Sequence, residues 1–228
     1  MLANVFKKPE ILNKSLHRDL KLSQYENYEF AKDAYLVPIS IEEMLVAMKS
    51  LIIVFVKDEN ATVLPSVVLG GEESKNLLLL EDNTWKENSY IPAALRCYPF
   101  GLGMSDGNNF ITIDTQAEAL KDEKGKLIVK DEKDLTEEGN FAVKFVTEVY
   151  TNINNAKNLG AFIESLGILK QAEINIQINE EKYSLKHGIY VIDENALNKL
   201  ESRKLKKLTT NGYMKLIYAH LFSLNNRY

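Results

Sequence analysis

The chain has almost no cysteine. Its 228 residues include one, Cys97, so no internal disulfide can form and no thiolate metal site can be built. A reducing compartment fits that usage. Long apolar runs are missing too. The longest strings, Leu51–Val56 and Leu77–Leu80, have strand length and fall far short of the roughly 18 apolar residues of a membrane span. A secretory signal needs an uninterrupted apolar stretch of about 7–15 residues, and none follows the lysines of the opening MLANVFKKPEILNKS. Cytoplasmic location is the default expectation, with leaderless export left open. No internal repeat and no low-complexity tract is found, which sets aside repeat architectures. Strong charge of one sign is also lacking: the net charge is −4, too mild to argue for nucleic acid.

What is present is ordinary globular material. Hydrophobic residues make up 45% and charged residues 26%, enough apolar surface to offset the entropy of ordering the chain. The length suits one large domain or two small ones. Charge is unevenly divided. Residues 1–138 carry 16 basic and 24 acidic side chains, residues 139–228 carry 12 and 8. Opposite fields of this kind favour docking of two lobes.

Residues 1–35 are polar but hold Tyr25, Tyr28, Phe30 and Tyr35, too apolar for a free tail, and read as an extended arm laid over the body. Ser40-Ile-Glu-Glu43 is a capping box opening a short helix to about Lys49. Leu51–Lys57 reads as a buried strand, with a turn at Asp58-Glu-Asn60. Thr62–Leu69 reads as a second strand, at an edge or bulge because of Pro65, and Leu77–Leu80 as a third. Residues 85–100 crowd two prolines and four aromatics into sixteen positions. Phe110–Ile113 is another strand, and Thr115-Gln-Ala-Glu118 a second capping box. Residues 121–138 are mostly charged and read as a surface loop or linker, the apolar Leu127-Ile-Val129 inside it suggesting one strand of a protruding hairpin.

The C-terminal part begins helical. Ala142, Phe145, Val146, Val149, Tyr150 and Ile153 recur at three- and four-residue spacing, and Leu159, Phe162, Ile163 and Leu166 repeat the pattern, with Gly167 as C-cap. Ile174, Ile176 and Ile178 alternate, as do Tyr183 and Leu185 beyond the turn at Asn179-Glu-Glu181, predicting a β-hairpin that Ile189–Ile192 extends. Asp193 caps the following helix. A final amphipathic helix places Tyr213, Leu216, Ile217, His220, Leu221 and Leu224 on one stripe.

The string of motifs resembles the bacterial SapC-like family. The resembling residues are His17-Arg-Asp-Leu-Lys-Leu22, Ile53-Val-Phe-Val-Lys57, Tyr90-Ile-Pro-Ala-Ala-Leu-Arg96 with Tyr98-Pro-Phe100, Val191-Ile-Asp-Glu194, and Leu216-Ile-Tyr-Ala-His-Leu221 with Ser223 and Leu224. Their order spans nearly the whole chain. The family usually carries two arginines before Tyr-Pro-Phe, and here the second is Cys97. The family name derives from association with surface-layer protein genes. The resemblance therefore implies membership and architecture, and brings no settled reaction, cofactor or catalytic set.

Several candidate sites compete. His17-Arg-Asp-Leu-Lys21 copies the protein-kinase catalytic-loop string, but the metal-binding asparagine is replaced by Gln24, no Asp-Phe-Gly follows, and sixteen residues leave no room for a nucleotide lobe. The same residues supply His-x-Asp, which with His220 or His187 would make the two-imidazole, one-carboxylate face of non-haem iron. The bland reading is a cluster holding the arm down, with Asp19 pairing Arg18 or Lys21. His220 is expected on the packed side of the last helix, neutral and hydrogen-bonded. Trp85, Tyr90, Arg96, Tyr98 and Phe100 offer flat apolar faces and a guanidinium fork for a carboxylate or phosphate. The bland reading is a proline-bounded aromatic loop packed on the sheet. Gly101-Leu-Gly103 with Gly107 is too short for a dinucleotide fingerprint, Arg203-Lys-Leu-Lys-Lys207 is the solvated face of a helix, and no Gly-x-Ser-x-Gly elbow occurs.

The sequence thus predicts an α+β fold, with a mainly antiparallel sheet in the first part and helices, a β-hairpin and a C-terminal amphipathic helix in the second. One compact domain over 1–228 is expected, the alternative being a split into 1–138 and 139–228. Two function classes remain. One is a non-catalytic binding or accessory protein with a protein or small-molecule partner and no cofactor. The other is a metal-dependent, oxygenase-type enzyme using His17, Asp19 and His220.

Overall fold

The computed structural model describes residues 5–24, 27–58, 60–71, 75–105, 107–178 and 181–227. Tyr25 and the turn at 179–180 lie outside them. The fold is α+β. Its centre is a five-stranded antiparallel sheet built from β3 (Leu36–Pro38), β4 (Ile53–Lys57), β5 (Val63–Val68), β9 (Leu169–Gln171) and β12 (Ile189–Ile192), in the order β3-β5-β4-β12-β9. The sheet draws strands from both sides of residue 138.

The β-branched run of β4 explains its central place. Ile53 and Phe55 face the larger core, and Val54 and Val56 face a smaller one with Val68, Ile176, Leu185 and Ile189. A strand apolar on both faces needs cover on both. Helices supply it on one side: α1 (Ile41–Ala47), α4 (Lys157–Ser165) and α7 (Tyr213–Ser223). On the other side the hairpin β10 (Ile174–Ile178) and β11 (Glu181–Leu185) brings Ile176 and Leu185 onto the sheet. Gly160 lets α4 lie directly on β5, because a Cβ there would come within 1.9 Å of the Val63 carbonyl oxygen.

A second sheet joins β1 (Pro9–Ile11), β6 (Phe100–Ser105) and β7 (Asn108–Asp114), in the order β1-β7-β6. The short pair β2 (Lys21–Leu22) and β8 (Lys126–Leu127) stands apart from it. The remaining helices are α2 (Ala93–Arg96), α3 (Glu137–Asn155), α5 (Glu194–Asn198) and α6 (Ser202–Thr210). The arm over residues 5–24 and 27–35 is docked through β1 on β7 and β2 on β8, with Tyr28 and Phe30 packed on the core.

Several local expectations hold. Ser40 and Glu43 form the capping box of α1. Gly167 has φ 67° after α4, and Asp193 caps α5 by accepting from the Asn195 amide. The basic run of α6 is exposed around a buried Leu208.

Five expectations are corrected. Leu77–Leu80 is not a strand: the Asn76 side chain accepts from the Leu78 amide and curls the segment into turns, leaving one bridge between Leu79 and Trp85. Pro65 is not at an edge, since β5 lies between β3 and β4. Its missing donor falls opposite Ile39, just past the end of β3, where the Ile39 amide still donates to the Pro65 carbonyl at 3.0 Å. Thr115–Glu118 forms no capping box: only a 3₁₀ turn over Glu118–Leu120 follows, and the Thr115 hydroxyl turns to Glu10. Ile189–Ile192 joins the central sheet rather than extending the hairpin. The apolar Leu127-Ile-Val129 does not protrude: β8 pairs with β2, and Ile128 and Val129 are buried.

Candidate functional site

The sequence from Tyr90 to Phe100 builds one wall of a groove. Pro92 opens α2, whose first amide, on Ala93, donates to Glu43 Oε1 at 2.8 Å. Glu43 already closes the capping box of α1, so one buried carboxylate serves the N-termini of two helices, where partial positive charge favours it. It also accepts from the Tyr90 hydroxyl at 3.0 Å. Burial first, and then the Glu43 charge, pushes that hydroxyl up to about 12, so it stays protonated and donates. The Arg96 Nη2 in turn donates to the Tyr90 oxygen at 3.2 Å. Arg96, the last residue of α2, is exposed while its neighbours on both sides are buried.

The groove, about 820 Å³, runs between this segment, the first turns of α3 and the turn around Lys124–Lys126. Arg96 lies over the rings of Tyr90 and Phe145, 5.8 Å and 5.7 Å from their centroids. Phe141 is stacked with Phe145 and is 72% exposed. Cys97, Tyr98 and Phe100 also line the groove. The Cys97 thiol is buried and pushed up to about 12 by desolvation, so it is held protonated. Tyr98 donates to Asp114 Oδ2 at 2.8 Å and stacks on Phe30 at 4.1 Å. A smaller cavity of about 220 Å³ adjoins the groove at Tyr98. On the rim Lys126 pairs with Glu138 at 2.5 Å, a bond that raises the lysine and lowers the carboxylate.

Of the five expected groove residues, Arg96, Tyr98 and Phe100 line it and Tyr90 stands behind Arg96. Trp85 does not belong: it is buried, meets Tyr28 edge-on at 5.5 Å, and its indole nitrogen has no hydrogen-bond partner among the described residues. The sequence pattern did not single out Phe141 or the Lys124–Lys126 turn. A signal for Phe141 was there, as an apolar residue four positions before Phe145 amid Glu137, Glu138 and Asn140.

The expected iron triad is not assembled. Among the described residues no three His, Cys, Asp or Glu side chains are grouped to hold a metal ion. His17 is buried in the arm, its Nδ1 accepting from the Asn13 amide at 3.0 Å and its Nε2 lying 3.4 Å from Glu10. Asp19 is exposed beside Arg18. His187 is exposed at the mouth of a separate cleft. His220 is fully buried with both ring nitrogens engaged by backbone groups of β4 and β12. A ring used in this way has no lone pair to give a metal.

A family model described as SapC matches residues 12–227. No curated protein and no solved structure matches the chain. No helix among the described residues is long and apolar enough to cross a membrane.

Proposed function

We propose, for a chain that belongs to the SapC family, a role as a non-catalytic binding or accessory protein acting in surface-layer or envelope-linked processes. The chain works as one unit, and its ligand site is the groove at Arg96. The observation that carries this reading is the exposed Arg96 guanidinium, anchored through Tyr90 to buried Glu43 and lying over the Phe145 ring. A charged group held by packed neighbours and opening onto apolar rings is built for recognition. The groove's thiol is muted, and so is the imidazole buried elsewhere under the central sheet. The Cys97 thiol is protonated, and the neutral His220 ring is committed to backbone.

The test is a fragment library titrated against isotopically labelled protein. Ligand-induced shifts should cluster at Arg96, Phe141 and Phe145, and Arg96→Ala should abolish them. Hits confined to other surfaces, or a silent groove, would overturn the site. Fractionation of cells tests the setting: the protein should be recovered with envelope partners after crosslinking, and recovery free of them would refute that link.

A further inference from the structure

The Arg96 groove is shaped for one ligand chemistry, an inference that rests on the groove being the ligand site. Tyr90, Arg96, Phe145 and Phe141 form a ladder. The guanidinium lies over the first two rings, and the Phe145 and Phe141 planes are 3° from parallel at 6.4 Å. The guanidinium carbon sits over both rings, and the N–H groups around it are its hydrogen-bonding outlet. Among the described residues, one contact of these N–H groups is used, to the Tyr90 hydroxyl. No carboxylate pairs with Arg96 among the described residues. At the far end of the ladder Phe141 presents an exposed ring.

The groove also has acidic members, and their placement matters. Glu138 is engaged by Lys126, and Asp122 accepts from the Lys124 amide. Glu137, Phe141 and Phe145 stand four residues apart on α3 and so share one face. Glu137 precedes Phe145, the ring beside Arg96, by two turns, about 12 Å of helix. Lys124 and Lys126 line that end of the groove beside Glu137 and Glu138, so both signs of charge stand there, while Arg96 lies across the apolar rings from them. We propose that the groove binds small aromatic carboxylates. The carboxylate takes the N–H edge of Arg96, and the ring stacks on Phe141.

The experiment compares three probes by resonance shifts on labelled protein: 2-naphthoate, its neutral amide, and cyclohexanecarboxylate. Naphthoate should saturate shifts at Arg96, Phe141 and Phe145, and the amide should bind at least about tenfold more weakly, as expected for loss of a charge-assisted pair. Arg96→Gln, at an exposed position, should erase the difference between acid and amide. Arg96→Lys, which keeps charge but not the fork, should fall between them. Phe141→Ala should weaken naphthoate more than cyclohexanecarboxylate. Equal binding of acid and amide in the groove would overturn the carboxylate inference while leaving the groove a binding site. No saturable naphthoate shift in folded protein would overturn it as well. In that case groove hits from the wider fragment library keep the parent reading, and their absence removes both.

Discussion

The imidazole of His220 stands in for a hydrogen bond between the backbones of Ile53 and Ile192. Strands β4 and β12 pair at Ile189 with Val56 and at Tyr190 with Phe55, and then part. Where the same register would bring Ile192 opposite Ile53, the ring bridges the gap. Nδ1 donates to the Ile53 carbonyl at 2.8 Å, and Nε2 accepts from the Ile192 amide at 3.1 Å. Ser223, one turn on, completes the set: its hydroxyl accepts from the Ile53 amide at 2.9 Å and donates to the His220 carbonyl. Helix α7 is thereby keyed into the sheet.

His220→Ala should therefore destabilise the fold by about 1–3 kcal/mol for each backbone group left buried and unpaired. Ligand binding at Arg96 should survive under conditions where the variant is folded. Chemical denaturation and a groove titration check both halves. Unchanged stability would defeat the structural assignment.

The same ring sets a pH dependence. Burial drives its pKa from 6.5 down to about 4, against the opposing pull of the Ile53 carbonyl. Between those values the unfolded chain binds a proton that the native ring refuses, so stability rises with pH. The contribution, about 3 kcal/mol at most, is complete above pH 6.5 and is lost as pH falls through about 4. Denaturation midpoints across that window should drop for the native chain. The slope should be shallower in His220→Ala, and identical slopes would contradict the assignment.

Asp114 fastens the N-terminal arm. Fully buried, it accepts from the Lys7, Lys8 and Gln116 amides at 2.7, 2.9 and 3.1 Å and from the Tyr98 hydroxyl. Desolvation alone raises its pKa, but these donors together win and hold it below 3.8. Asp114→Ala should cost about 2–3 kcal/mol and expose the amides of residues 7–11 to hydrogen exchange. Full protection of that segment in the variant would show that β1 pairing alone holds the arm.

Gly160→Ala should force α4 off β5, since the new Cβ would strike the Val63 carbonyl. A loss of about 1–3 kcal/mol is expected from overpacking, read as a lower thermal midpoint. A neutral or stabilising result would mean that the helix shifts freely on the sheet.

Limited proteolysis should nick residues 130–134 before any other internal segment of the charged stretch. These positions are exposed, while Ile128 and Val129 are anchored in the core and Lys126 is tied to Glu138. First cleavage at 126–129 would contradict the observed docking of β8.

Local chemistry was legible wherever it is short-range. The Ser40–Glu43 box, the Gly167 stop and the Asp193 cap are contacts between neighbours in the chain, so residue type and spacing suffice to find them. The stripe in α3 and the alternation in β10 and β11 follow from side-chain period alone. Leu77–Leu80 misled because a four-residue apolar run fits a strand or a turn equally, and the Asn76 side chain decided it. Arg96, Tyr98 and Phe100 were readable as a cluster because they are close in sequence. Trp85 shares that stretch, but the chain turns away and buries it against Tyr28.

The α+β class follows from the alternation of local patterns along the chain, and the buried nature of β4 and the neutral, packed state of His220 each follow from the pattern of a single segment. That residues 189–192 leave the hairpin for the central sheet emerges from the folded arrangement. It alone showed that Glu43 serves two helices and that Phe141 lines the same groove as Arg96. The pairing of β12 with β4, the bond of Glu43 to Ala93 and the meeting of Phe141 with Arg96 each join residues about 45 or more positions apart, whose partners are set by how strands and helices exclude water together rather than by any local preference.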